Sequence, residues 1–286
     1  MSKNIVNGIV ILDAIPEGEL NTARRLKEDL LDLSYTLSKC LEVRYIRLET
    51  FSDLQNGIAE ILDEVKEIGL VPWLHLEGHG SSDETGFQLA NGHNCSWEQL
   101  KGIVTPLNIS TDLNTLLILA TCYGGTFARA ITTTDHAPVS GLIGPKHEVK
   151  VSEVEKGFIV LYKTFFETNS LKEAFVALQQ TAPKGLYYRT TAERFFYEVW
   201  CLYKRVQCTK DELKKRAKRM RNEAKAQKIG KLPSIGYLKR FIKKQEPIIF
   251  DKYRDKYFLY DISTTTKKRY PVTYKVAKKK CEALTR

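Results

Sequence analysis

Residues 74–80 read LHLEGHG and residues 116–125 read LLILATCYGG. Each is an apolar run closed by small residues and one reactive side chain: His79 before Gly80, and Cys122 before Tyr123, Gly124 and Gly125. Short apolar runs that end at glycine fit buried strands of a parallel sheet. In open α/β sheets, catalytic groups lie just beyond the carboxyl ends of such strands. A histidine and a cysteine at two such ends are placed to act as base and nucleophile.

The flanking sequence supplies the rest of an α/β alternation. Further strands are predicted over residues 4–13, 41–48 and 139–143, beside those at 72–77 and 115–121. A helical period of apolar residues runs over 17–40, through Leu20, Ala23, Leu26, Leu30, Leu33 and Leu37. Capping-box pairs Ser52/Gln55, Ser96/Gln99, Ser152/Glu155 and Ser170/Glu173 open four more helices. Asn91-Gly92 marks a small hairpin within 81–95, and a helix is expected near 126–133. The first domain is therefore read as 1–183, a doubly wound, mostly parallel sheet flanked by helices.

Charge divides the chain. Residues 1–183 carry 15 Lys+Arg against 24 Asp+Glu, and residues 184–286 carry 30 against 10, within a total of +11. Residues 184–286 read as a basic α+β region. It holds an aromatic-rich helix at 192–208, a basic helix at 210–228 capped by Thr209 and Glu212, and a helix from Leu238. Two strands follow at 256–262 and 270–275. A charge run is usually a solvated helix face; the other reading is a dock for nucleic acid or an acidic protein. Tyr253, Tyr257, Phe258 and Tyr260 have a spacing that suits base stacking and core packing equally.

No apolar run nears the roughly 20 residues of a membrane span, and residues 9–12 are too short for a secretory signal. Six cysteines without a regular framework suit a reducing cytoplasm, with Cys201 and Cys208 as thiols. No CxxC pair occurs, so a metal site is not expected, and His93 with Cys95 lacks a second ligand pair. His75 and Glu77 share a strand face with His79 and read as hydrogen-bonded core; Trp97 reads as core.

Chemically, a Cys122 thiolate at a helix start would be favoured by the helix N-terminus. The glycines after it would let a substrate backbone approach. The N–H groups of Gly80 and Cys122 would face a developing oxyanion, and His79 would manage protons. No cofactor is required.

His79-Gly80 and, about forty residues later, Cys122-Tyr123-Gly124 resemble the dyad segments of the caspase–gingipain–separase clan of caspase-like cysteine peptidases. Gly141 to Gly144 and the helices containing Phe158 and Leu178 are similar to that family's closing segment, and the chain looks closest to the bacterial CHAT type. The resemblance covers residues 3–182. It implies a cysteine endopeptidase acting through an acyl-enzyme, often a regulated effector of defence or cell death, including antiviral defence. His147-Glu148-Val149-Lys150-Val151 departs from the family's acidic stretch beside the substrate cleft, so specificity does not carry over. Glu148 is kept as a substrate-binding candidate that reaches the cleft from this loop. Ala120 stands where relatives hold a residue that reads the position before the cut. Alanine offers no charge or hydrogen bond, so a neutral, apolar residue is expected there. The expected partners are a protein substrate and a regulatory protein or nucleic-acid-containing activator docking on the basic region. The competing reading is a non-catalytic adaptor, with a small-molecule hydrolase or acyltransferase third.

Overall fold

The computed structural model describes residues 6–37, 41–228 and 230–283. The expected first-strand residues Asn4 and Ile5, and Cys40 at the end of the expected first helix, lie outside them. The chain forms two compact units, Met1–Ile131 with Ala137–Ala192, and Thr132–His136 with Glu193–Arg286.

The first unit is built on a six-stranded sheet of β1 (Gly8–Asp13), β2 (Glu42–Arg47), β3 (Pro72–Glu77), β6 (Leu116–Ala120), β7 (Gly141–Pro145) and β8 (Tyr187–Thr191). Their order across the sheet is β2-β1-β3-β6-β7-β8. Every pairing is parallel except β7 with β8. The expected α/β sheet is thus present. β1 and β3 are buried at every position, which is why they read as mostly apolar runs. The order reverses at β1, so the carboxyl ends of β1, β3 and β6 lie side by side at a switch point. Asp13 pairs with Glu77, and Glu77 with Ala120.

One sheet face packs against α1 (Thr22–Thr36), α4 (Val151–Thr168) and α5 (Leu171–Gln180). Ile9, Ile11, Trp73, Ile118 and Ile143 meet Leu26, Phe158, Leu161 and Leu178 in that core. α2 (Phe51–Ile68) lies on the opposite face, where Gly57 closes on Ile46. A two-stranded hairpin, β4 (Gly86–Gln88) and β5 (Asn94–Ser96), precedes α3 (Trp97–Ser110). Gly92 turns it at φ 83°, a conformation open to glycine at no cost.

Two capping boxes sit two residues earlier than expected. Thr50 with Asp53 opens α2, and Lys150 with Glu153 opens α4 through the Lys150 backbone N–H. Ser96/Gln99 and Ser170 cap where expected.

The first unit runs to Ala192 and not to 183, because β8 adds an antiparallel edge to β7 from Pro145↔Tyr187 to Gly141↔Thr191. The second unit is helical: α6 (Ala192–Gln207), α7 (Lys210–Ala226), α8 (Ile235–Tyr257), α9 (Thr264–Arg269) and α10 (Tyr274–Ala283). The two strands expected at 256–262 and 270–275 are not formed. Phe250 and Tyr257 bury on one face of a longer α8, and Phe196 of α6 packs against them and Phe258. That aromatic core consumes the residues whose alternation suggested strands. Leu213 and Ala217 of α7 pack on Leu238 and Ile242 of α8. Cys201, expected as a thiol, is disulfide-bonded to Cys281. No described helix is long and apolar enough to cross a membrane.

Candidate active site

β6 ends at Ala120, and the chain then makes a tight turn. The Gly124 N–H donates to the Thr121 carbonyl at 3.1 Å. Tyr123 takes the left-handed conformation at φ 59°, which costs energy for a residue with a Cβ. A 3-10 helix, Gly124–Ala130, follows in place of the expected α-helix. A Cβ on Gly124 would lie 2.7 Å from the Leu119 Cβ, and one on Gly125 would lie 3.0 Å from the Pro145 carbonyl oxygen. These glycines serve internal packing, not the approach of a substrate backbone. The turn is braced from α3: the Trp97 indole N–H donates to Thr126 Oγ1 at 2.9 Å, and that hydroxyl donates to the Tyr123 carbonyl at 2.7 Å. Trp97 is buried, as expected, and also supports the cysteine turn.

The result is a half-buried Cys122 whose Sγ accepts the Val149 N–H at 3.4 Å. The Tyr123 N–H donates to the His147 carbonyl at 3.1 Å. The 146–150 loop after β7 is therefore laid across the turn.

β3 delivers the histidine. The hairpin fixes its backbone, since the Gln88 N–H donates to the His79 carbonyl at 2.8 Å and Gly80 bridges to Phe87. A Cβ on Gly80 would lie 2.1 Å from the Cys122 carbonyl oxygen. Only glycine lets these two strand ends touch. Neither the Gly80 nor the Cys122 backbone N–H meets an acceptor among the described residues. Both are therefore open to an acceptor on a ligand.

His79 is half exposed, and its Nε2 lies 2.9 Å from Glu19 Oε2. Glu19 was not singled out from sequence. It sits in the loop after β1, and Asp13 holds that loop in shape. The buried Asp13 carboxylate accepts from the Ile15 N–H at 2.9 Å, the Asn21 amide at 2.7 Å and the Arg47 guanidinium at 2.9 Å. Asn21 in turn caps α1. The available signal was position: an acid just beyond the end of a strand adjoining the histidine strand.

Two cavities flank Cys122. A small one of about 110 Å³ is lined by Glu19, Glu77, His79, Ala120, Cys122 and Val149, among others. A larger cleft of about 790 Å³ lies by Gly80, Gln88, Cys122, Glu148 and Val149. Thus His79, Ala120 and Cys122 share the first, while Gly80, Glu148 and Cys122 share the second. Ile15, Leu20, Val151 and Val154 give the small cavity apolar walls. Glu77 lines it too, but both carboxylate oxygens are engaged, one by the Thr22 hydroxyl and one by His75 Nε2 at 3.0 Å. His75 Nδ1 meets the Tyr162 hydroxyl at 3.0 Å, so His75 and Glu77 form a hydrogen-bonded core.

Cys95 is fully buried, and burial pushes its thiol up to about 12. It is no nucleophile near neutral pH. His93 is exposed and contacts Asn91. Among the described residues no group of three or more His, Cys, Asp or Glu could hold a metal ion.

No protein-family model matches the chain, and no curated protein matches it. Among solved structures the chain is similar to the Drosophila initiator caspase Dronc, at 10% identity and a TM-score of 0.47, over 64% of this chain and 79% of that one.

Proposed function

We propose that the chain is a caspase-like cysteine endopeptidase working through Cys122 and His79. The observation that carries the reading is the backbone contact between Gly80 and Cys122, with both amides unpaired. It sets Cys122 where two cavities meet, with the His79 imidazole lining one and Gly80 lining the other. His79 takes the thiol proton as Cys122 Sγ attacks the peptide carbonyl. The Gly80 and Cys122 N–H groups hold the oxyanion, and such donors each give about 3–4 kcal/mol in known cases. His79 then protonates the leaving amine, and water releases the acyl group. Glu19 holds the imidazole and offsets its positive charge. No cofactor enters these steps.

Ala120 and the apolar walls of the small cavity support cleavage after a neutral, apolar residue, with Glu148 reading the peptide on the cleft side. The resemblance to CHAT-type peptidases suggests a regulated effector of a bacterial defence or cell-death system, switched by a protein or nucleic-acid-containing activator on the basic region or by a change around Thr132 to Pro138. A cytoplasmic setting belongs to the same proposal. The Cys201–Cys281 bridge argues the other way, and thiol titration of freshly extracted protein decides it.

The strongly basic second unit favours a second reading, a caspase-like adaptor without catalysis. An acyl-directed cysteine probe separates the two. Labelling of the wild type and its loss in Cys122→Ala supports the peptidase; equal labelling of both sinks it. Incubation with the products of neighbouring genes, followed by mapping of new N-termini, then reports the substrate and the cut residue. Strict cleavage after Asp or Arg would contradict the apolar specificity.

A further inference from the structure

The second unit contains a hollow of its own, of about 260 Å³, between α6, α7, α8 and α10. A second, of about 270 Å³, adjoins it and shares Trp200, Lys204, Glu246, Tyr274 and Lys278. The charges around the first do not balance. Glu246 is its single acid, and it is already used: one carboxylate oxygen pairs with Lys204 and the other accepts the Tyr274 hydroxyl at 2.8 Å. Arg216 donates only to the neutral Tyr203 hydroxyl, at 3.1 Å. Lys243 and Lys278 have no ion pair among the described residues. Three uncompensated cations, from α7, α8 and α10, therefore converge on one concavity.

A basic helix exposed to water spreads its cations outward, where salt screens them. Convergence from three separate helices raises a positive potential inside a recess, which concentrates anions there. The same recess presents rings. Trp200 forms part of its wall with the half-buried Tyr203 and Tyr274. Inorganic phosphate would use the cations and leave the rings idle. An acidic peptide side chain would do the same. A base stacks on an aromatic side chain for about 1–3 kcal/mol, whichever base it is. Guanidinium and ammonium groups together suit phosphate oxygens. We propose that this recess binds a mononucleotide, with its phosphates on Arg216, Lys243 and Lys278 and its base against the Tyr203 and Tyr274 rings. This site is independent of the peptidase reading.

Titration calorimetry on the full chain tests it with ATP, GTP, AMP and inorganic tripolyphosphate. ATP or GTP should bind at one site with a dissociation constant below about 1 mM, and tripolyphosphate at least tenfold more weakly. Lys243→Glu with Lys278→Glu should weaken the nucleotide at least tenfold while leaving the circular dichroism spectrum and Tm unchanged. Tyr203→Leu should weaken ATP more than tripolyphosphate. The proposal is overturned if no nucleotide binds at about 1 mM, or if tripolyphosphate binds as well as ATP. It is equally overturned if the charge-reversed variant binds like wild type. Binding seen only with single-stranded oligonucleotides would replace it with a strand-binding surface.

Discussion

Gly80 decides whether the two reactive strand ends can meet. Any side chain there collides with the Cys122 carbonyl oxygen, a backbone atom that cannot swing away. Gly80→Ala should cost about 1–3 kcal/mol, as overpacking does. A parting of the two strand ends by about 1 Å should also lower the proposed peptide cleavage about a hundredfold. Thermal melts and single-turnover cleavage read the two effects separately. Glu19 works differently. Its pair with His79 is half exposed, where solvent screening weakens ion pairs. Under the proposed mechanism, Glu19→Gln should lower kcat about tenfold and leave KM unchanged, because it loosens the His79 imidazole and not the peptide. An unchanged kcat would remove Glu19 from the mechanism.

At the level of elements, the hairpin and α3 position the site without joining the chemistry. Cys95 on β5 reports their integrity. Burial raises its thiol pKa from the ordinary 9.0 to about 12. The neutral thiol is thus favoured by folding, and the stabilisation is complete below pH 9. It is lost as the pH climbs from about 9 towards 12, because the unfolded chain ionises first. Urea melts from pH 8 to pH 11 should show that decline, and Cys95→Ala should flatten it. These elements also show what was legible in the sequence. Asn91-Gly92 fixed the hairpin because its turn demands positive φ, and the runs ending at Glu77 and Ala120 declared themselves by complete burial. Two helix starts were misplaced because Thr50/Asp53 competes with Ser52/Gln55, and Lys150 caps through its backbone alone. β8 was missed because YYRTT follows Pro183 and Gly185, which mimic a domain boundary. Glu19 was missed because its role depends on which strands become neighbours, and local pattern carries no trace of that.

Across the whole molecule, stability resides in two separate units with different means. The first buries aliphatic sheet positions under three helices. The second relies on an aromatic cluster and on the Cys201–Cys281 bridge, which spans 80 residues of chain. A crosslink of that span stabilises by about 4–5 kcal/mol in the chain-entropy model. Reduction should therefore lower the calorimetric transition of the second unit and leave that of the first in place. A shift of both together would mean that the units unfold as one. The helical character of the second unit was hidden because Tyr257, Phe258 and Tyr260 fall at and just beyond the end of α8, where an aromatic cluster and not a strand alternation sets their packing.

Val149 lines both cavities and donates its N–H to Cys122 Sγ. Val149 thus belongs to the walls of two rooms that also share Cys122. Val149→Gly would knock the rooms together. Under the proposed peptidase activity, a peptide library should then show more cuts after bulkier residues, phenylalanine and tyrosine among them, than the wild type gives. Selectivity in this protein would rest on a partition, and one methyl-bearing carbon would set how wide each room is.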